Sequence, residues 1–221
     1  MNKSIFITGT DTDIGKTFVS VGLCLAFENM GLKVGYFKPF QSGVKNAIAP
    51  DIEELKKYSN SIKTKYSYLL KGDVSPHLSS VLNNIEVDIE KVKNDLKDFE
   101  SQNDFVVIEG AGGLYCPAIK RKLFADIIKD LSQEIIIVTT PDLGRINHTL
   151  MTIDCAKQKG IKIKGIIINS MPKEKTLSQE NFIKELKMFC DIEILGVIPK
   201  MENLIKEDII KEFDSILKNL S

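Results

Sequence analysis

Short runs of β-branched and aromatic residues recur along the chain at 4–8, 34–37, 104–108, 135–139, 163–168 and 194–197, and each is apolar at nearly every position. A strand with one face in water alternates polar with apolar; a strand covered on both faces does not. These runs therefore predict buried strands. Between them lie segments with apolar residues three and four apart, at 16–30, 51–58, 86–99, 124–131, 147–159, 177–189 and 204–220, the spacing of helices that bury one stripe. Strand and helix alternate, so the expected fold is α/β, a parallel sheet with right-handed crossover helices on both faces. No repeat or linker divides the chain, and a single domain over residues 1–221 is expected. The stretch from Gln41 to Leu82 is the least periodic and reads as loops or functional segments.

Composition narrows the function classes. A chain of 221 residues, 43% hydrophobic and 27% charged, has ordinary globular make-up and buries a core without staples. Thirty Lys and Arg against thirty Asp and Glu give zero formal charge, which argues against a nucleic-acid or polybasic membrane binder. Phosphate chemistry must then rest on local charge. Cys24, Cys116, Cys155 and Cys190 are scattered, without zinc or redox spacing. The first ten residues do not resemble a signal peptide, and no uncharged stretch approaches the ~18 residues of a membrane span. The expectation is a cytoplasmic protein with neither nucleic acid nor membrane as partner.

The strongest chemical signal follows the first strand: Gly9-Thr10-Asp11-Thr12-Asp13-Ile14-Gly15-Lys16-Thr17, then a helical pattern. Such a loop points backbone N–H groups at phosphate oxygens, and the helix N-terminus adds about half a positive charge. Lys16 bridges terminal phosphates and the Thr17 hydroxyl can ligate Mg²⁺. The usual phosphate loop has glycine where Thr10 stands, so this loop is one residue longer. Asp13 reads as a surface acid; Asp11 is either that or a contact to another ligand.

The strand at 104–108 ends in Glu109-Gly110-Ala111-Gly112-Gly113, placing Glu109 where a phosphate-loop protein holds Mg²⁺. The strand at 163–168 ends in Asn169-Ser170-Met171-Pro172. Asn169 reads either as an amide for the N6/N7 edge of adenine or as a strand-end cap, and the lack of N-K-x-D there favours ATP over GTP. Lys38-Pro39 follows the second strand; the proline restricts Lys38 to an extended backbone, and the side chain reads either as a second lysine aimed toward the phosphate site or as a solvated lysine at a strand end.

Together with Lys38-Pro39-x-x-Ser42-Gly43, Ser75-Pro76-His77, Leu143-Gly144-x-Ile146-Asn147-His148 and Ile198-Pro199, these motifs resemble the dethiobiotin synthetase family, in order and over nearly the whole chain. The resemblance implies ATP- and Mg²⁺-dependent closure of the ureido ring from 7,8-diaminononanoate and CO₂, in biotin synthesis. It implies that Lys38 and Lys16 are catalytic and that Ser42 holds a carbamate. Gly144, Ile146 and Asn147 would bind the substrate carboxylate at a helix N-terminus across a homodimer interface. ATP would lie against Thr12, Asp13, Ile14, Gly15, Lys16 and Thr17, with Gly110, Ala111 and Gly112, and with Asn169, Ser170, Pro199, Lys200 and Met201 around the base. Thr17, Asp51 and Glu109 would form the Mg²⁺ site. Asp51 fits equally as the N-cap of a helix beginning near Ile52, with Glu53 and Glu54 as fallback ligands. Arg145 stands where a small residue is expected and is either a carboxylate contact or a solvated side chain. His77 and His148 read as structural hydrogen-bonders. Tyr115, Cys116 and Pro117 read as lining the substrate side, with Cys116 no nucleophile for want of an activating base.

The alternative is a phosphate-loop switch ATPase of the partition or positioning type, which acts through partners. Such proteins usually carry an extra lysine where Asp11 stands and often end in a basic amphipathic helix, whereas the stripe Leu204, Ile205, Ile209, Ile210, Phe213, Ile216 and Leu217 predicts a core-packing one. The amide-forming domain of cobalamin synthesis is a third reading.

Overall fold

The computed structural model describes residues 3–44, 49–202 and 204–220. Strands β1 (Ser4–Gly9), β2 (Val34–Val44), β3 (Lys63–Lys71), β4 (Phe105–Gly113), β7 (Ile135–Thr139), β8 (Ile163–Met171) and β9 (Ile194–Pro199) form one sheet in the order β3-β2-β4-β1-β7-β8-β9. Every neighbouring pair in it is parallel. The short strands β5 (Pro117–Ile119) and β6 (Lys122–Leu123) form a separate antiparallel pair after the glycine run.

The near-continuous apolarity of the central strands follows from cover on both faces. Helices α1 (Lys16–Asn29), α2 (Pro50–Lys56) and α8 (Lys206–Leu220) supply side chains to one core cluster. Helices α4 (Ile89–Ser101), α5 (Phe124–Asp130), α6 (Arg145–Gln158) and α7 (Leu177–Phe189) supply the other. Strand residues divide between the two with period two: Ile5, Ile7, Val34, Tyr36, Phe105 and Val107 face the α1 side, and Phe6, Phe37, Val106 and Ile108 the opposite side. Ile209, Phe213, Ile216 and Leu217 of the final helix are buried in the core, as its stripe predicts, whereas Leu204 and Ile205 precede the helix and are exposed. Phe213 of α8 packs edge-on against Phe18 with centroids 6.0 Å apart, and a Cβ on Gly22 of α1 would lie 2.1 Å from the Phe213 ring.

The differences from the periodicity reading lie where the chain is not covered on both faces. β3, with the sequence KTKYSYLLK, is an edge strand with one neighbour, so it carries lysines instead of a continuous apolar run. Helix α3 (Pro76–Leu82) also falls in the stretch expected to be irregular; Pro76 opens it and the Ser75 hydroxyl caps it, accepting from the Leu78 amide. β2 and β4 run past their expected ends to Val44 and Gly113, so Lys38 and Glu109 lie within strands. Pro39, which has no N–H to donate, comes just after the last residues paired with β4, Phe37 and Ile108.

Candidate active site

The phosphate loop joins β1 to α1 at the C-terminal edge of the sheet, where ligands of open α/β folds bind. Its left-handed residues, Asp13 at φ 57° and Gly15 at φ 89°, turn successive amides toward one side. Gly15 is required twice over, because a Cβ there would also sit 2.0 Å from Asn169 Nδ2. That amide nitrogen donates to the Ile14 carbonyl at 3.0 Å, so Asn169 braces the loop from β8. The Lys16 ammonium donates to the Asp11 carbonyl at 2.7 Å, and burial lowers its pKa from the ordinary lysine value.

Strand period brings the next groups to the same side. Phe37 lies opposite Ile108, and continuing that register sets Lys38 beside Glu109, both on the α1 face with Tyr36 and Val107. The Lys38 ammonium donates to Glu109 Oε1 at 2.8 Å and pairs with the Asp51 carboxylate. Thr17 Oγ1 lies 2.8 Å from Glu109 Oε1 and 3.1 Å from Asp51 Oδ1, and its one proton serves either. Lys38 and Glu109 are 5% and 1% exposed, so these are buried charges that must neutralise one another. Burial alone would lower the Lys38 pKa; the carboxylates of Glu109 and Asp51 outweigh it and hold the ammonium above the ordinary lysine value. Burial likewise opposes the Asp51 carboxylate, and Lys38 more than offsets it, so its pKa falls below the usual range.

Asp51 is not an N-cap. α2 begins at Pro50, with Ala49 before it, and Asp51 lies in the first turn with its carboxylate turned toward Lys38 and Thr17. Glu53 and Glu54 pair instead with Lys56 and Lys57 on the surface. Two neighbours had no motif to announce them. Tyr36 donates from its hydroxyl to Glu109 Oε2 at 2.6 Å, and Gln41 donates to Asp51 Oδ2 at 2.9 Å. The available signal was period two, which puts Tyr36 on the face of Lys38.

Three recesses surround this cluster. A cleft of about 550 Å³ is lined by Thr12, Lys16, Thr17, Lys38, Ser42, Asp51, Glu109 and the Gly110-Ala111-Gly112 run. Across the loop, Asn169, Ser170, Pro199, Lys200 and Met201 line a recess of about 310 Å³ with Gly15 and Phe18, which brings the residues expected around the base together. On the other side, Thr10, Asp11, Tyr115, Cys116, His148 and Met151 line a third, of about 400 Å³. Gly144 takes φ 86° and precedes the first turn of α6, so Arg145, Ile146 and Asn147 open that helix. Arg145 donates to Asp11 Oδ2 at 2.9 Å and lies 3.1 Å from His148 Nδ1, tying the helix start to the phosphate loop. This bridge lowers the Asp11 pKa. Burial raises the Cys116 thiol, which keeps it protonated and inert. His77 opens α3 beside Pro76, its backbone carbonyl accepting from the Ser80 hydroxyl.

Similarity to known proteins agrees with this geometry. An AAA-domain family model matches residues 3–208. The ATP-dependent dethiobiotin synthetase of Clostridium perfringens is 36% identical over 227 residues, 98% of this chain and 99% of that protein. The chain belongs to the dethiobiotin synthetase family. The enzyme of that name from Methanococcus vannielii is 39% identical, covering 88% of this chain and 92% of its own. Solved structures share the fold at lower identity. A putative plasmid partition protein of Borrelia burgdorferi bound to AMPPNP superposes with a TM-score of 0.68 at 17% identity, over 99% of this chain and 98% of its own. The cell division ATPase MinD of Pyrococcus furiosus gives 0.61 at 17% identity, over 99% of each chain. The switch-ATPase alternative thus shares the architecture, while the family sequence is that of a synthetase, an ATP-dependent ligase forming carbon–nitrogen bonds.

Proposed function

We propose that the chain folds as a single domain and makes dethiobiotin from 7,8-diaminononanoate, CO₂ and ATP. In this reading a substrate amine captures CO₂ as a carbamate, losing a proton. A carbamate oxygen attacks the γ-phosphorus of ATP, the bond to ADP breaks, and a mixed anhydride forms. The second amine then attacks its carbonyl carbon and expels phosphate, closing the ureido ring. The observation that carries the proposal is the buried Lys38, poised between the phosphate loop and the Ser42 side of the 550 Å³ cleft. Lys38 neutralises charge on the carbamate and transferring phosphoryl group, Ser42 hydrogen-bonds the carbamate, and Lys16 with the loop amides aligns the phosphates. Asn169 and its recess take the base.

The donor set suits Mg²⁺. Thr17, Asp51 and Glu109 offer hard oxygens, the Thr17 hydroxyl lying within hydrogen-bond reach of both carboxylates, and among the described residues no group of three His, Cys, Asp or Glu forms a metal cage. Mg²⁺ binds nucleotide phosphates through one or two carboxylates and water, so a cage is not required. When bound, the ion draws charge from the β- and γ-phosphates. The same reading makes the protein a cytoplasmic homodimer, with the N–H groups of Ile146 and Asn147 at the start of α6 receiving the partner's substrate carboxylate, while the Arg145 N–H is taken by the Asp142 carbonyl at 3.1 Å. Among the described residues no helix is long and apolar enough to cross a membrane.

The deciding assay follows phosphate release from Mg·ATP and bicarbonate with and without 7,8-diaminononanoate. The diamine is expected to stimulate turnover strongly and to yield dethiobiotin by mass; no stimulation in folded protein defeats the proposal.

A further inference from the structure

Tyr36 belongs to no motif of the phosphate site, yet it touches one of the groups assigned there. Its side chain is fully buried on the α1 face of β2, and its hydroxyl donates to Glu109 Oε2 at 2.6 Å. The other oxygen, Oε1, accepts from Thr17 and Lys38, each at 2.8 Å. One carboxylate thus has two unequal oxygens: Oε1 faces partners that line the cleft, and Oε2 is held by a phenol inside the core. The register makes the arrangement rigid, since Tyr36 lies opposite Val107, two residues before Glu109 on the same face. Both side chains are buried, Tyr36 at 0% and Glu109 at 1% exposure, so close packing leaves them little room to turn apart.

That asymmetry bears on which cation fits. Mg²⁺ demands a near-ideal octahedron and takes a carboxylate through a single oxygen, whereas Ca²⁺ accepts about six to eight oxygens and often takes both from one carboxylate. We infer that Tyr36 is a positioning and specificity-determining residue: its phenol keeps Glu109 a one-oxygen ligand and so selects Mg²⁺ over Ca²⁺. The inference rests on the assignment of Glu109 to the metal site. Groups that orient a ligand through its second atom are worth about 10–100-fold in metal affinity.

Calorimetric titration with Mg²⁺ and with Ca²⁺, on protein saturated with a non-hydrolysable ATP analogue, tests this on the wild type, Tyr36→Phe and Glu109→Gln. Tyr36→Phe is expected to weaken Mg²⁺ by about tenfold and Ca²⁺ much less, so that the preference for Mg²⁺ falls about tenfold. Affinity for the analogue in chelator stays unchanged. A tyrosine that only fills the core lowers the melting temperature and leaves the ratio intact, and that result overturns the inference. If Glu109→Gln binds both ions like the wild type, the ligand assignment fails and the inference with it. Loss of binding in Glu109→Gln with an unchanged ratio in Tyr36→Phe overturns the inference alone. Should Tyr36→Phe not fold, infrared difference spectra of the wild type carrying ¹³C-labelled glutamate decide the matter. One-oxygen carboxylate splitting with both ions supports the inference, and a two-oxygen signature with Ca²⁺ overturns it.

Discussion

Two ion-pair clusters flank the phosphate loop and join the same kinds of groups in opposite surroundings. Lys38 with Asp51 and Glu109 is buried between β2, β4 and α2, with side-chain exposures of 6%, 23% and 1%. Arg145 with Asp11 spans from α6 to the loop with side-chain exposures of 23% and 51%. In the first cluster the charges have lost their water and depend on one another, so removing one strands the rest. In the second, water and salt replace a missing partner at little cost. The buried cluster is accordingly the place where charge can act on a reaction; the exposed one is a tether that adjusts where a helix begins.

The sharpest way to break this contrast is Lys38→Met, which keeps the length of the side chain and removes the charge. Turnover is expected to fall about 10²–10³-fold, as for loss of a transition-state donor. Unfolding by denaturant should show a loss of about 3 kcal/mol from the stranded carboxylates. Near-normal turnover would take Lys38 out of the mechanism.

Acid separates the clusters next. The Asp51 and Asp11 pKa values both lie below 3.8 in the folded chain, so each contributes stability that is complete above that pH and is lost as pH falls through the folded value. The difference between wild type and Asp51→Asn in melting temperature should therefore shrink below pH 3.8 and persist in about 0.5 M salt. The corresponding difference for Asp11→Asn should vanish in that salt. Equal salt sensitivity would erase the distinction between the two sites. The smallest effect belongs to Arg145→Ala, with at most about 0.5 kcal/mol lost in thermal unfolding. A loss above about 2 kcal/mol would show that the tether is structural.

Legibility along the chain follows the same division between local and long-range causes. Strands such as Ile135–Thr139, covered on both faces, are apolar throughout and declare themselves. β3 does not, because an edge strand answers to one neighbour and to water. The loop from Gly9 to Thr17 is readable because its chemistry is contiguous: amides, lysine and hydroxyl act on one ligand within a single turn. Asp51 was ambiguous because its role depends on Lys38 and Thr17, which lie 13 and 34 residues away in sequence. Tyr36 carried only the period-two signal that sets it on the face of Lys38, and Gln41 carried none, since a tyrosine or glutamine in a strand is ordinary until its partner is known.

The α/β class with its six doubly covered strands, the phosphate loop and the family were determined by the sequence alone, because period, backbone amides and contiguous motifs are properties of neighbouring residues; β3, α3 and the β5–β6 pair were not. The pairing of Lys38 with Asp51 and Glu109, the hold of Tyr36 on Glu109 Oε2 and the brace from Asn169 to Ile14 were decided only by the tertiary structure. A sheet order that sets β4 between β1 and β2 brings these side chains to one edge. Burial there makes each polar group depend on a partner that the linear chain does not specify.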